Sequence, residues 1–171
     1  MGSLLLRWPA FFAFFTSFLT ILIMWVNHHN MFNFIRKVDT RFMFLNGFLL
    51  LTVTLNPFTT SLVADHLLDS NAATAAGVYS GVFVFLSLVW NLLWRYASGG
   101  HRLVSSVVPE AVLQKATRDF NIGTLLYVVA FALAFVSGIA SIIAILLLAV
   151  FWAVTAPSRS AEKKGDAALV S

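Results

Sequence analysis

Four stretches of this chain carry no Asp, Glu, Lys or Arg: Trp8–Ile35, Phe42–Ala64, Ser70–Trp94 and Phe120–Ser158, of 28, 23, 25 and 39 residues. About 20 apolar residues cross the ~30 Å hydrocarbon core of a bilayer as a helix. Backbone N–H and C=O groups find no water there, so a lone spanning segment must bond to itself and take the helical form. A water-soluble fold would have to hide four helices that are apolar on every side, and 171 residues cannot cover them. Charged residues make up 11% of the chain, against about 25% in an average soluble domain. The sequence therefore specifies an integral membrane protein, all-α, with the lipid bilayer as its solvent. Channel, transporter and membrane scaffold are the function classes to weigh.

The absence of cysteine excludes disulfides, a thiolate nucleophile and Cys-ligated zinc. The net charge of +4 does not imply a nucleic-acid partner, because the basic residues sit in short loops beside spans, where they set orientation. The apolar N-terminal run is longer than a signal-peptide core and is followed by Asn27-His28-His29-Asn30, not by a small-residue cleavage site. It reads as a retained span. Met1-Gly2 lacks the Ser or Thr at position 6 that myristoylation favours.

A transmembrane domain over residues 1–157 is expected to hold spans at about 9–27, 42–63, 72–94, 122–137 and 139–155, followed by a disordered cytoplasmic tail, 158–171. Pro57 should kink or break the second span. The last charge-free run is too long for one crossing: Ile122–Ala156 as a single helix would reach about 52 Å at 1.5 Å per residue. A split near Ser137-Gly138 gives two short spans. Arg36, Lys37 and Arg41 lie between the first two spans, and Arg95, Arg102, Lys115 and Arg118 between the third and fourth. The intervening connection holds Asp65 and Asp69 and no basic residue. The positive-inside rule places the basic loops in the cytoplasm and, with the split, the basic tail as well. The N-terminus is then outside and the C-terminus cytoplasmic. Leu103–Asp119 is either an amphipathic helix at the interface or a partly helical loop.

Three sets of residues could carry function. Asn46, Thr52, Asn56 and Thr60 share a face of the second span, either as the wall of an aqueous path or as interhelical hydrogen-bonding groups. Ala73, Gly77 and Gly81 recur every four residues and let helix backbones approach closely, within the chain or between chains. At Trp25-Val26-Asn27-His28-His29-Asn30, three roles are open: a metal site, a proton-responsive or pore-mouth group, or a polar helix end bonded to its neighbours. Adjacent histidines point about 100° apart on a helix and chelate poorly. No ionisable residue sits mid-span, as ion-coupled transporters usually require. No phosphate loop, Ser/His/Asp set or HExxH appears. An enzyme is not expected, nor a cofactor or a bound metal.

The segments Trp25-Val26-Asn27-His28-His29, Phe32, Asp39, Leu45-Asn46, Asn56-Pro57-Phe58-Thr59-Thr60 and Trp90-Asn91-Leu92-Leu93-Trp94-Arg95-Tyr96 follow one another as in the transmembrane protein 175 family. The chain resembles a bacterial member of these potassium channels over most of residues 8–155. The resemblance implies six spans per subunit, a cell-membrane homotetramer around one pore, potassium as the permeant ion, and gating at a hydrophobic constriction. It also implies that Trp25, Asn27, His28 and His29 pack against an Arg-x-x-x-Phe-Ser-Asp signature on the family's first, pore-lining helix. Residues 1–171 contain no such signature. No pore residue is therefore carried over. The resemblance implies a late start codon, a shortened gene, or a five-span protein with another task. The alternative function is a non-conducting membrane scaffold that binds other helices through Gly77 and Gly81.

Overall fold

The computed structural model describes residues 8–66 and 69–155. The Met1-Gly2 terminus and the tail 158–171 lie outside the described residues. What is described is a bundle of helices without strands: α1 Trp8–Phe32, α2 Thr40–Val53, α3 Asn56–His66, α4 Ala72–Ser98, α5 Glu110–Ala134 and α6 Gly138–Thr155. Three stretches are long and apolar enough to cross a bilayer: 40–66, which takes α2 and α3 together, 72–101, and α6.

Local chemistry sets the helix ends. Asp39 is the N-cap of α2, with extended backbone and a carboxylate that accepts the Phe42 N–H at 2.8 Å. This starts the helix two residues before the expected span. The ladder breaks between Val53 and Asn56 because Pro57 has no N–H to offer Val53 and its ring crowds that carbonyl. Hydroxyls of Thr54, Thr59 and Thr60 cover the carbonyls of Leu51, Leu55 and Asn56 around the break. α4 ends at a turn in which Gly100 and His101 take positive φ of 59° and 52°. Ser137 interrupts the last run, and its hydroxyl accepts the Ala140 N–H at 3.3 Å to start α6.

Two further boundaries differ from expectation. α1 continues past Asn27 to Phe32 because its polar side chains find partners inside the bundle. The segment expected at the interface, Leu103–Asp119, is no separate helix: from Glu110 on it is the first part of α5. Pro109 and Glu110 begin the helix, no proline follows before Ala134, and propagation needs only one bond per residue.

α4 is the hub, packing on α2, α3, α5 and α6, while α1 packs on α3 and α6. One apolar cluster, including Phe42, Leu49, Leu93, Trp94 and Leu113, fills the end that carries the two basic loops. Another, including Val63, Tyr79, Phe83, Ala130 and Ile145, fills the other end. The basic loops are joined directly. Arg36 N–H donates to Leu103 O at 2.8 Å, and Ile35 and Val104 form an antiparallel bridge. Both loops therefore lie on the same side of the membrane. The outer surface stays apolar, with Phe14, Phe44, Phe58, Leu125 and Val154 all exposed.

The tightest approach between helices is not at the Gly77 face. A Cβ on Gly138 would lie 2.8 Å from the Ala72 carbonyl oxygen, whereas one on Gly77 would meet nothing within 4 Å. Gly81 abuts Phe131 at 3.4 Å by the same measure, and Ala73 is exposed. A backbone oxygen cannot rotate away, so Gly138→Ala must separate α6 from α4. We expect Gly138→Ala to destabilise the bundle by about 1–3 kcal/mol, and Gly77→Ala to leave it unchanged or stabilise it slightly. Thermal unfolding of both variants in detergent checks this; equal Tm values for the two would contradict it.

Candidate functional site

Polar side chains inside a bilayer turn toward protein, because hydrocarbon offers them no partner. Ser17, Thr20, Thr52, Asn56, Thr59, Thr60, Ser80, Ser87, Asn91 and Ser141 are accordingly all buried. Where their hydrogen bonds go distinguishes residues that tie helices together from those that satisfy only their own turn.

The stripe on the second span divides in this way. Thr52 donates to Phe48 O at 2.9 Å and Thr60 to Asn56 O at 2.8 Å, both within one helix. Asn56 also accepts the Thr60 hydroxyl at Oδ1, while its Nδ2 has no partner among the described residues. Asn46 alone crosses, to His28 Nε2 on α1 at 2.7 Å. An amide oxygen can only accept, so His28 carries its proton on Nε2. The imidazole lies against Phe32 at 4.4 Å between centroids and edge-on to Trp90 at 6.1 Å. It is a hydrogen-bond donor in an aromatic enclosure, joining three helices.

The other residues of that segment separate. Asn27 turns to α6 and donates to Trp152 O at 3.3 Å. Trp25 and His29 stack on each other at 5.7 Å on the outer side of α1, where Trp25 is 61% exposed. The structure thus brings His28 and Asn46 together, sends Asn27 and Asn56 elsewhere, and leaves Trp25 and His29 on a surface.

Sequence reasoning missed the residues that tie α4 and α6 to α5. Asn91 donates through Nδ2 to Thr124 Oγ1 at 2.8 Å and Phe120 O at 3.1 Å. Trp94 Nε1 donates to Thr117 Oγ1 at 2.8 Å. Ser141 on α6 donates to Ala130 O at 2.7 Å. The signal was available: Asn91 is a lone amide one turn from Ser87 in a charge-free run, and the rule applied to the second span applies there equally.

A charged cluster closes the end that bears the basic loops. Asp39 accepts the Phe42 N–H and the Tyr96 hydroxyl, the latter at 2.7 Å, and Arg102 lies over the Tyr96 ring at 4.6 Å. The Phe42 N–H first, then the Tyr96 hydroxyl, with Arg102 and Arg41 nearby, hold the Asp39 carboxyl below the ordinary Asp value. A carboxylate whose pKa falls on folding adds stability above its unfolded pKa and loses it as pH falls through the folded one. Asp39→Ala should therefore lower Tm by a few degrees at neutral pH, and the gap should close below about pH 4. Melts at pH 7 and pH 3 test the sign.

The His28–Asn46 pair makes a separate prediction. Asn46→Leu should cost about 1–3 kcal/mol by leaving the His28 donor unmet. His28→Leu combined with it should cost less than the sum of the single changes, by about 0.6–1.7 kcal/mol. A double-mutant cycle on unfolding free energy measures this coupling, and strict additivity would deny the bond.

Comparison with known proteins gives one consistent result. The family model described as "Endosomal/lysosomal potassium channel TMEM175" matches residues 1–57. A potassium channel of Chamaesiphon minutus is 40% identical over 153 residues, covering 90% of this chain and 75% of the relative. A potassium channel of Streptomyces collinus is 38% identical over 160 residues, covering 91% of this chain and 77% of the relative. The crystal structure of a lysosomal potassium-selective channel TMEM175 homolog from Chamaesiphon minutus superposes with a TM-score of 0.78 at 38% identity, over 92% of this chain and 79% of that one.

Proposed function

This chain belongs to the TMEM175 family of potassium channels, and we propose that it is the body of a potassium-permeable channel subunit in the cell membrane. The observation that carries the reading is agreement in sequence and fold together: identity near 40% across nine-tenths of the chain, with a TM-score of 0.78 to a potassium-selective relative. Transport, not chemical turnover, is the activity, so no residue is assigned to catalysis and no cofactor is required.

Four subunits around one pore is the assembly we infer, with conduction controlled where apolar side chains narrow the pore and expel water. The pore-lining segment is the Arg-x-x-x-Phe-Ser-Asp helix, which residues 1–171 do not contain. Trp25 and His29 support this arrangement: stacked and exposed on α1, they offer N–H groups and aromatic faces to a further helix. His28 and Asn46 set the angle between α1 and α2 behind that surface. The joined basic loops support the orientation, since the positive-inside rule then applies to both together and puts them in the cytoplasm. The chain crosses five times in this reading, with the α2–α3 pair as one broken span and the N-terminus outside.

Potassium flux into liposomes tests the proposal. The 171-residue chain alone is expected to give background flux. The chain extended upstream by an in-frame helix carrying the signature is expected to pass potassium in preference to sodium. Background flux from both forms would overturn the channel reading.

A further inference from the structure

The end of the bundle that bears the basic loops holds an open recess of about 440 Å³, lined by Asp39, Thr40, Arg41, Tyr96 and Arg102. Two arginines and one carboxylate line it, which leaves it net positive. Among the described residues neither arginine forms an ion pair. Asp39 has its own partners: Oδ1 accepts the Phe42 N–H and Oδ2 the Tyr96 hydroxyl. Both arginines are still near enough to lower the Asp39 carboxyl, so they lie around one shared acid. Arg102 is also held in place, since its guanidinium lies 4.6 Å over the Tyr96 ring.

Two fork-shaped cations without an acidic partner suit a phosphate group, whose oxygens take paired N–H donors. The surface that continues from the recess into the membrane decides where that phosphate comes from. On α2, Arg41, Phe44 and Phe48 fall within about 60° of one another at 100° per residue, and all three are exposed. Phe48 lies edge-on to Phe85 of α4 at 5.7 Å, and Phe85 and Leu88 are exposed as well. An apolar strip built by two helices therefore leads away from the arginines. A soluble phosphate makes no use of such a strip, whereas a phospholipid lays an acyl chain on it. A zwitterionic headgroup would bring a further positive charge to a recess that is already net positive. We propose that recess and strip together bind an anionic phospholipid, its phosphodiester between Arg41 and Arg102 and an acyl chain along Phe44, Phe48 and Phe85. The cytoplasmic leaflet carries such lipids, and the positive-inside rule puts this end there. Lipid so placed bears on the start of α2 and the end of α4, which Asp39 and Tyr96 already join. The inference rests on the membrane reading and not on conduction.

The test is microscale thermophoresis on the full chain in dodecyl maltoside, with no ion flux measured, so a chain that does not conduct can still bind. The probes are dioleoylphosphatidylglycerol, dioleoylphosphatidylcholine and sn-glycerol 3-phosphate. Saturable binding of the anionic lipid is expected, with the other two at least about tenfold weaker. Arg41→Gln and Arg102→Gln should each weaken it by about fivefold. Arg41 makes the cleaner variant, because Arg102 also packs on Tyr96. Lys115→Gln combined with Arg118→Gln removes two charges from α5 and should leave binding within about twofold. An equal loss in that control would mean diffuse attraction to a basic surface and would overturn the site. So would affinity unchanged by both arginine substitutions, equal binding of phosphatidylcholine, or no saturable binding. Equal binding of sn-glycerol 3-phosphate would make the ligand a soluble anion and overturn the lipid assignment.

Discussion

Hydrocarbon offers no hydrogen bonds, and every other feature of this molecule follows from that one deficiency of its solvent. The backbone must satisfy itself, so the described chain is helix wherever it is apolar. Side chains must do likewise, so serine, threonine and asparagine point inward. Most of them close on a carbonyl three or four residues back. Thr20 to Thr16 O, Thr52 to Phe48 O, Ser80 to Ala76 O and Thr117 to Leu113 O all follow this habit. Such bonds contribute nothing to the arrangement of helices. That arrangement is set by the side chains that do reach across, among them His28 to Asn46, Asn27 to Trp152, Asn91 to Thr124, Trp94 to Thr117 and Ser141 to Ala130. Two of these five donors lie on α4, the helix that touches most of the others.

Those reaching groups divide the bundle into a firm part and a looser one. α4, α5 and α6 are bound by direct side-chain bonds and by the close seat of Gly138 on Ala72. Gly123 contributes to the same packing, because a Cβ there would fall 2.5 Å from the Trp152 ring. α2 and α3, by contrast, meet across a proline break whose nearby carbonyls are served by threonine hydroxyls rather than by the helix ladder. A break repaired by side chains can change its angle at lower cost than an intact helix, because each hydroxyl bond contributes only about 0.5–1.5 kcal/mol. The two parts are held in register at one end by the joined loops, where the Asp39 carboxylate links the cap of α2 to Tyr96 on α4.

How much of this was legible in the sequence depended on range. Charge-free length located every helix, and Pro57 and Ser137-Gly138 marked the interruptions, because a missing N–H and an N-cap hydroxyl act within one turn. Asp39 also acts within one turn, and its capping role could have been read from its place just before an apolar run. The continuation of α5 back to Glu110 was not legible from hydropathy, since charge at Lys115, Arg118 and Asp119 ends the apolar signal but not the helix. Partners across the bundle were less visible still. Ala73, Gly77 and Gly81 have the spacing of a packing face, yet the backbone that comes closest to α4 does so at Ala72 and Ala76, one position back along the helix. A four-residue period names a stripe but leaves its rotation about the helix axis free, and only the neighbouring helix fixes that.

The surface left over has a consequence for assembly. Phe11, Phe14, Phe15 and Phe18 on α1 and Met43, Phe44 and Leu51 on α2 are exposed, which in water would force aggregation. In lipid the same side chains are already solvated, because acyl chains are as apolar as they are, and burying them against another subunit gains little. Association in that solvent has to draw on shape and on polar contact instead. Gly77 has open space at its Cβ position, with nothing within 4 Å. Trp25 and His29, stacked on the exposed side of α1, add ring N–H groups to an otherwise apolar surface. The phenylalanines are therefore at ease in lipid, whereas polar groups among them are the ones that hydrocarbon leaves unserved.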